Sequence, residues 1–457
     1  MPSKDPATTD QLLLSAIRDA ARRPRPVWRS ERTYVLATIA GIVGLGNLWR
    51  FPAMVGRHGG GAFLAAYVVC VLAVAVPLAA LESACGGLAR RSPVGLFRRA
   101  AGRVGAVVGW ATVAMTVVIL SYYFVITGWT LGYAMDAILA RLRPFTEFTE
   151  GYTTLWLFLL VGGAVYVVLG REVAAIERAS TYLVPVLVIM VVGLAVQGQT
   201  LDGAAEARSF YAGVSGEALT DPTVWRAAAG QAFYSVGVGQ GILIAYGSFV
   251  PAGTNLLRST MVIASANGLV SIISGLMVFA VAFTFDIPPS TGTELSFTAF
   301  PRAFAELPAG GVLAVVFFGL LFLAGFTSCL SGSVVVLSSL RDEWDLGRSA
   351  AARWTVGVIV VLGVPSALSF TDAAWSLADR PVLDRVDQLA GSGVIVVLGL
   401  AGALVLARRL PRRAVAASFG VDPVRIGRVT LGATTVISWA AIVPLVALAL
   451  FVVGTVA

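Results

Sequence analysis

Histidine occurs once in this chain of 457 residues, at His58, and cysteine three times, at Cys70, Cys85 and Cys329. The cysteines fall in or beside apolar stretches and show neither pairing nor metal-ligand spacing. The lone imidazole stands beside Gly59, Gly60 and Gly61 and reads as a solvated helix-end residue, not as a proton relay. A membrane-embedded enzyme would need convergent acids, a histidine or metal ligands within its apolar segments. That constellation is missing, so no enzymatic activity is expected. Charge is equally scarce: 13% of residues are charged and 57% hydrophobic, with a mean hydropathy of +0.84. No water-soluble domain carries such a composition on its surface, so the solvent for most of the chain is lipid.

A membrane-crossing helix needs about 20 mostly apolar residues. Such stretches recur eleven times, near 33–56, 61–88, 104–138, 152–170, 178–197, 224–250, 256–285, 310–340, 352–370, 385–408 and 427–455. The polar opening, residues 1–30, lacks an apolar core followed by a small-residue cleavage site, so no removable signal peptide is expected. Most of the 33 lysines and arginines lie in that segment and in every second loop, among them Arg22, Arg23, Arg90, Arg91, Arg98, Arg99, Arg408, Arg409, Arg412 and Arg413. By the positive-inside bias the amino terminus is cytoplasmic, and an odd number of spans leaves the carboxyl terminus outside a cell inner (plasma) membrane. The net charge of +8 therefore records topology. Its basic residues are scattered through loops, which argues against a nucleic-acid partner. The bilayer is the one partner composition implies, and no obligate protein partner is indicated.

Two spans contain runs that lipid does not tolerate as plain helix. They are Gly41-Ile42-Val43-Gly44-Leu45-Gly46-Asn47 in span 1 and Ser235-Val236-Gly237-Val238-Gly239-Gln240-Gly241 in span 6. Each glycine costs roughly 1 kcal/mol of helix propensity, and freed backbone groups at membrane depth are acceptable only where they line a protein cavity. Close helix packing through small residues is the competing reading. A nucleotide-binding glycine loop would need a third glycine, a preceding strand and a soluble helix, all missing. The broken spans open two equal sets, 1 to 5 and 6 to 10, and five spans reverse the direction of entry. That is the layout of an all-α transporter with a 5+5 inverted repeat and discontinuous helices 1 and 6, in which half-helix ends and carbonyls bind solutes near the midplane. Residues 31–455 then form a single transmembrane domain: a first repeat at 33–197, an inverted second repeat at 224–408 and an extra helix at 427–455.

The string Gly44-Leu45-Gly46-Asn47-Leu48-Trp49-Arg50-Phe51-Pro52, followed by Gly59-Gly60-Gly61-Ala62-Phe63, closely resembles the first helix and loop of the neurotransmitter:sodium symporter family. Further matches run in order: Tyr122-Tyr123 with Trp129, Gln231-Ala232-Phe233-Tyr234-Ser235, Asn267, Ala324-Gly325-Phe326-Thr327-Ser328, and Asp384 with Asp387. The resemblance covers spans 1 to 10 and looks like a short bacterial subgroup with eleven spans. It implies sodium-coupled symport of a small zwitterionic solute, probed first as an amino acid, by alternating access. A non-transporting membrane sensor on the same scaffold is the alternative, against which intact gates and ion ligands argue.

The resemblance also implies ligands. One sodium site would use the carbonyl of Ile42 with Asn47, Ser235 and Asn267, completed by the substrate carboxylate. A second would use carbonyls of Ala40, Val43 and Ala324 with the hydroxyls of Thr327 and Ser328. Hard oxygen ligands of this kind suit sodium, although a serine or threonine hydroxyl also bonds back to a carbonyl one turn earlier. The substrate carboxylate would face the amides near Leu45 and Gly46 and the Tyr123 hydroxyl. Family members that carry amines hold an aspartate where this chain has Gly44, so a glycine implies a substrate with its own carboxylate. Gly41, Ile119, Tyr123, Tyr234, Ser235, Gly237, Gln240, Ser328 and Gly332 would line the pocket, and the small Gly237 and Gly332 imply a bulky hydrophobic or aromatic side chain. Gln240 would bond either a polar substrate tip or a backbone group freed by the break.

Arg50 and Asp387 match the family's outer gate, and Arg25 with Asp342 the inner one, with Trp28 closing over the inner path. Phe249 replaces a tyrosine that ordinarily buttresses that inner gate. Chloride is the remaining expected co-solute. Tyr67, Gln231, Ser235, Asn267 and Ser271 reproduce the chloride set of dependent members, and Ser271 stands where many bacterial relatives have a carboxylate. Alternatively Ser271 bonds the Asn267 carbonyl, and Glu82 supplies the negative charge.

Overall fold

Ser30 opens the first long helix of the computed structural model, which describes residues 27–442 apart from 172, 290–294, 308, 411–414, 417, 418, 420–423, 427, 428 and 432–434. Its hydroxyl accepts from the Thr33 amide and the Thr33 hydroxyl accepts from the Ser30 amide, so the start of the helix satisfies its own open donors. This helix, α1 (Glu31–Ile42), stops where Val43 turns extended at φ −79° and ψ 100°. A π-helical stretch, Gly46–Arg50, and α2 (Phe51–Arg57) resume the span after a bend of 50°. Helices α3 (Gly61–Ala89), α4 (Pro93–Ile138), α5 (Thr153–Leu169) and α6 (Val173–Gly198) follow. A kink at Ala101 and Gly102, with Gly102 at φ 59°, separates the first turns of α4 from its membrane-length part.

The second break is built by glycine. Helix α7 (Pro222–Val236) begins at Asp221, whose carboxylate accepts from the Thr223 amide at 2.8 Å and its hydroxyl at 2.7 Å. Those bonds hold the Asp221 carboxyl below the usual carboxylate range. Beyond Val236 the backbone passes through Gly237, Gly239 and Gly241 at φ 80°, 79° and 74°, then re-enters helix as α8 (Ile242–Gly247). An L-residue in the left-handed region costs about 1–2 kcal/mol, so three such positions in one span select glycine at each. Helices α9 (Leu256–Thr284), α10 (Gly310–Trp344), α11 (Arg348–Ala367) and α12 (Val382–Arg409) complete the bundle.

Among the described residues 7 helices are long and apolar enough to cross a membrane, and the bent α1 and α2 pair brings the total to 8. The stretch expected at 152–170 is the shorter apolar helix α5, and the one at 224–250 is divided between α7 and α8. The stretch at 427–455 lies mostly outside the described residues, with helix seen at 435–442. Helix α10 packs most extensively on α4, α1 lies against α6 and α10, and α8 lies against α3. Small residues set the closest approaches: a Cβ at Gly230 would meet Ser392 backbone at 2.8 Å, and one at Gly239 would meet Gly399 at 2.9 Å. Leu72, Trp156, Ile189 and Val361 are the kind of side chain left on the outside, each more than half exposed, as lipid contact requires.

Candidate functional site

Both breaks leave backbone groups without helical partners, and side chains from other helices take them up. At the first break, the Leu45 amide donates to the Tyr123 hydroxyl at 2.7 Å and the Gly44 amide to Asn47 Oδ1 at 3.1 Å. The Gly41 carbonyl accepts from Ser331 Oγ at 3.0 Å, and the Gly46 carbonyl from Gln231 Nε2 at 2.9 Å. Gly44 is required by close approach: a Cβ there would run into Ser328 Oγ and the Tyr123 hydroxyl. At the second break, the Gly239 amide donates to Glu82 Oε1 at 3.0 Å, the Gln240 carbonyl accepts from Thr116 Oγ1 at 2.6 Å, and Gln240 Nε2 donates to the Tyr234 carbonyl at 3.0 Å. Gln240 thus bonds a carbonyl that the break frees, one of the two roles open to it.

The breaks meet at one cavity of about 30 Å³, room for a water or two. Gly41, Ile42, Gly46, Ile119, Tyr123, Tyr234, Gly237, Gln240, Ser328 and Gly332 line it together with Thr116, Leu120 and Ile242, whereas Gly44, Leu45 and Ser235 do not. Thr116 and Leu120 share a helical face with Ile119 and Tyr123, so the spacing along α4 was the signal that would have found them. The volume attributed to Gly332 is taken by Leu120, whose side chain lies 2.9 Å from where a Cβ would stand. Gly237 serves the backbone, at φ 80°, and a Cβ there would meet Ile42 at 3.2 Å. These two glycines therefore do not by themselves leave open volume for a large substrate. Gly237→Ala is expected to lower uptake of large and small substrates alike, by about five-fold, because the strain falls on the break itself. Parallel initial-rate measurements with a small and a large amino acid check this. A loss confined to the large one would restore the size argument.

Beside the first break, Asn47 Nδ2 donates to Asn267 Oδ1 at 2.8 Å, to the Asn267 carbonyl at 3.1 Å and to Ser271 Oγ at 2.7 Å. Ser271 Oγ donates back to the Asn267 carbonyl at 3.1 Å. The Tyr67 hydroxyl lies 3.0 Å from Ser235 Oγ and against Ser271. Asn47, Asn267, Ser271, Tyr67 and Ser235 thus form one buried polar cluster. Asn267 Nδ2 makes no hydrogen bond within it. Of the other expected ion ligands, Ala40 on α1 and Thr327 on α10 line a common small cavity. Thr327 Oγ1 donates to the Ala324 carbonyl at 3.0 Å and the Leu323 carbonyl at 3.1 Å. That back-bond uses the hydroxyl proton and leaves its lone pairs open to a cation. Ser328 Oγ is buried near the Tyr123 hydroxyl without a well-aligned hydrogen bond.

Two closures bound the cavity. On one side Arg50 Nε bonds both oxygens of Asp387, at 3.0 and 3.1 Å, Nη2 bonds Ser392 Oγ at 2.7 Å, and Nη1 bonds Gln231. Tyr122 donates to Asp387 at 2.9 Å and its hydroxyl lies 3.1 Å from that of Tyr234, while the guanidinium lies 4.6 Å over the Tyr234 ring. Every charge in this buried pair has partners, the condition under which an ion pair survives at membrane depth. Beyond it opens a vestibule of about 600 Å³ lined by Arg57, His58, Arg226, Arg380, Asp384 and Arg385, among others. His58 is half-buried and stacked on Phe63, and burial together with Arg57 keeps its imidazole below the ordinary value, hence neutral at pH 7. On the other side Trp28 is buried, donating from Nε1 to the Tyr246 carbonyl at 3.1 Å and from its amide to the Phe249 carbonyl at 2.8 Å. Its ring stands edge-on to Phe249 at 6.0 Å. Arg25 lies outside the described residues; Asp342 accepts from the Ser92 amide at 2.8 Å.

Broken helices meeting at a small cavity inside an apolar bundle, with a buried ion pair and a buried tryptophan flanking the breaks, define a multi-pass membrane transporter. The chain belongs to the sodium:neurotransmitter symporter family, whose pattern matches residues 25–155 and 149–457, and is a sodium-dependent symporter. An uncharacterized sodium-dependent transporter of Haemophilus influenzae is 27% identical over 408 residues, covering 84% of this chain and 89% of the relative. One from Methanocaldococcus jannaschii is 31% identical over 366 residues, 74% of each chain. The crystal structure of MhsT in complex with L-phenylalanine superposes with a TM-score of 0.86 at 30% identity, covering 94% of this chain and 99% of that one.

Proposed function

We propose that the protein imports a neutral, bulky hydrophobic or aromatic amino acid together with sodium and chloride, by alternating access. The observation that carries this reading is the convergence of both helix breaks on one small cavity, with Gly44, not an acid, against the cavity residues Tyr123 and Ser328. A site without its own carboxylate at that point suits a solute that brings one, and the Tyr123 hydroxyl, which accepts from the Leu45 amide and keeps its own proton free to donate, is the group that would receive it. The complex of MhsT with L-phenylalanine, at 30% identity, supports the same substrate class here. In this reading Ile42, Asn47, Ser235 and Asn267 hold one sodium, and Ala40, Val43, Ala324, Thr327 and Ser328 a second. Buried oxygens that lack a full set of donors, Ser328 Oγ among them, fit a small hard cation. Asn267 Nδ2, a buried donor without an acceptor, fits an anion. The Arg50 and Asp387 closure faces outside, the Trp28 closure the cytoplasm, and the eleven spans form a 5+5 inverted repeat with one helix added, in a cell inner membrane with its amino terminus cytoplasmic. Proteoliposomes under an inward sodium gradient should accumulate a bulky neutral amino acid at least about ten-fold above the equal-sodium control. Uptake of no amino acid under that gradient would overturn the proposal.

A further inference from the structure

Gln240 does two things in the second break, and the cavity uses only one of them. Its Nε2 donates to the Tyr234 carbonyl, and that bond fixes the amide: the flipped arrangement would set oxygen against oxygen. Oε1 is then left without a donor among the described residues, in a side chain that lines the cavity. Its neighbours on the cavity wall are chiefly apolar: Ile119, Leu120 and Ile242, with Thr116 spending its hydroxyl proton on carbonyls of Thr112 and Gln240. The position is also remote from the carboxylate end. The Gln240 carbonyl sits at Thr116, and from Thr116 to Tyr123 along α4 is two helical turns, about 10 Å.

We propose that Gln240 is a specificity-determining residue whose Oε1 accepts a hydrogen bond from the far end of the substrate side chain. The substrate class is thereby narrowed to long, mostly apolar side chains that end in an N–H or O–H donor, as the indole of tryptophan and the phenol of tyrosine do. This rests on the amino-acid reading above. The physical reason is the asymmetry of buried polar groups. A donor that reaches Oε1 replaces its water bond, whereas a hydrocarbon edge of the same shape strips that water and leaves the oxygen unpaired. Backbone capping alone would need only Nε2 and would be indifferent to the substrate.

The test needs no variant at first. Wild-type proteoliposomes are assayed for competition of sodium-driven uptake by L-tryptophan and by its benzothienyl isostere, in which sulfur replaces the indole N–H. Tryptophan should compete about ten-fold more strongly. In Gln240→Met the two should become equal, and phenylalanine should gain on both. Equal competition by tryptophan and the isostere in wild type overturns the role of Oε1 while leaving amino-acid symport intact. A preference that persists unchanged in Gln240→Met overturns it as well. Absence of sodium-driven uptake for every amino acid is a different result, and overturns the reading on which the inference stands.

Discussion

Asn267→Ala is expected to weaken sodium and substrate binding together, each by roughly ten- to a hundred-fold. Asn267 Oδ1 accepts from Asn47 Nδ2 at 2.8 Å, and Asn47 Oδ1 in turn holds the Gly44 amide at 3.1 Å. The substitution removes one neutral oxygen from the proposed first sodium shell and slackens the side chain that shapes the first break. Because the substrate carboxylate would share that ion, the two affinities are coupled, and any loss of coupling appears equally in the sodium dependence of substrate binding and in the substrate dependence of sodium binding. Binding of a labelled amino acid, titrated with sodium in detergent, reads both quantities. An Asn267→Ala protein with a normal melting temperature and unchanged half-saturating sodium would refute the assignment.

How far the sequence reached is clearest at the two breaks. Their glycines were legible because the helix penalty is local, and Gly237, Gly239 and Gly241 do adopt positive φ. Gly44 was legible as a missing side chain, but its reason, contact with Tyr123 and Ser328, comes from helices far away in the chain. The pair of Arg50 and Asp387 could be read because a charge at membrane depth demands a partner. No comparable rule pointed to the particular caps of the second break. Glu82 reaching Gly239 and Thr116 reaching the Gln240 carbonyl depend on how α3 and α4 pack, which hydropathy does not record. Hydropathy also measures length and not continuity. The expected span at 104–138 does begin just past the break at Ala101 and Gly102, but the stretch at 224–250 is two helices. The size of the pocket was the least legible quantity, since Leu120 fills the space that Gly332 leaves.

Glu82 matters to the charge of the site as well as to its shape. Its Oε1 serves the Gly239 amide, and its Oε2 has no hydrogen-bond partner among the described residues. A carboxylate placed there caps the second break, whereas Asn267, Ser271 and Tyr67 belong to the cluster at the first. The negative charge nearest the proposed first sodium is therefore not supplied by a side chain of that cluster, which holds amides and hydroxyls only.

Replacing chloride by gluconate should accordingly abolish most sodium-driven uptake by the wild-type protein, and Ser271→Glu should restore it. Two sodium ions with a zwitterion leave net positive charge in a site of low dielectric, where an anion close by is worth far more than in water. The donors for that anion are in hand. Asn267 Nδ2 has no acceptor among the described residues, Tyr67 and Ser235 lie 3.0 Å apart, and Ser271 stands against Tyr67. Ser271 spends its one hydroxyl proton on the Asn267 carbonyl at 3.1 Å, so its donation to the anion requires the hydroxyl to rotate away from that back-bond. A glutamate at 271, one turn after Asn267, would put a fixed charge where the ion is proposed to sit. The measurement is initial uptake at constant sodium, with chloride or gluconate outside, for wild type, Ser271→Glu and Glu82→Gln. Chloride dependence should be about ten-fold or more in wild type and in Glu82→Gln, and lost in Ser271→Glu. A wild type indifferent to chloride would sink the chloride site, and a Glu82→Gln protein that alone acquired chloride dependence would transfer the role of counter-charge to Glu82.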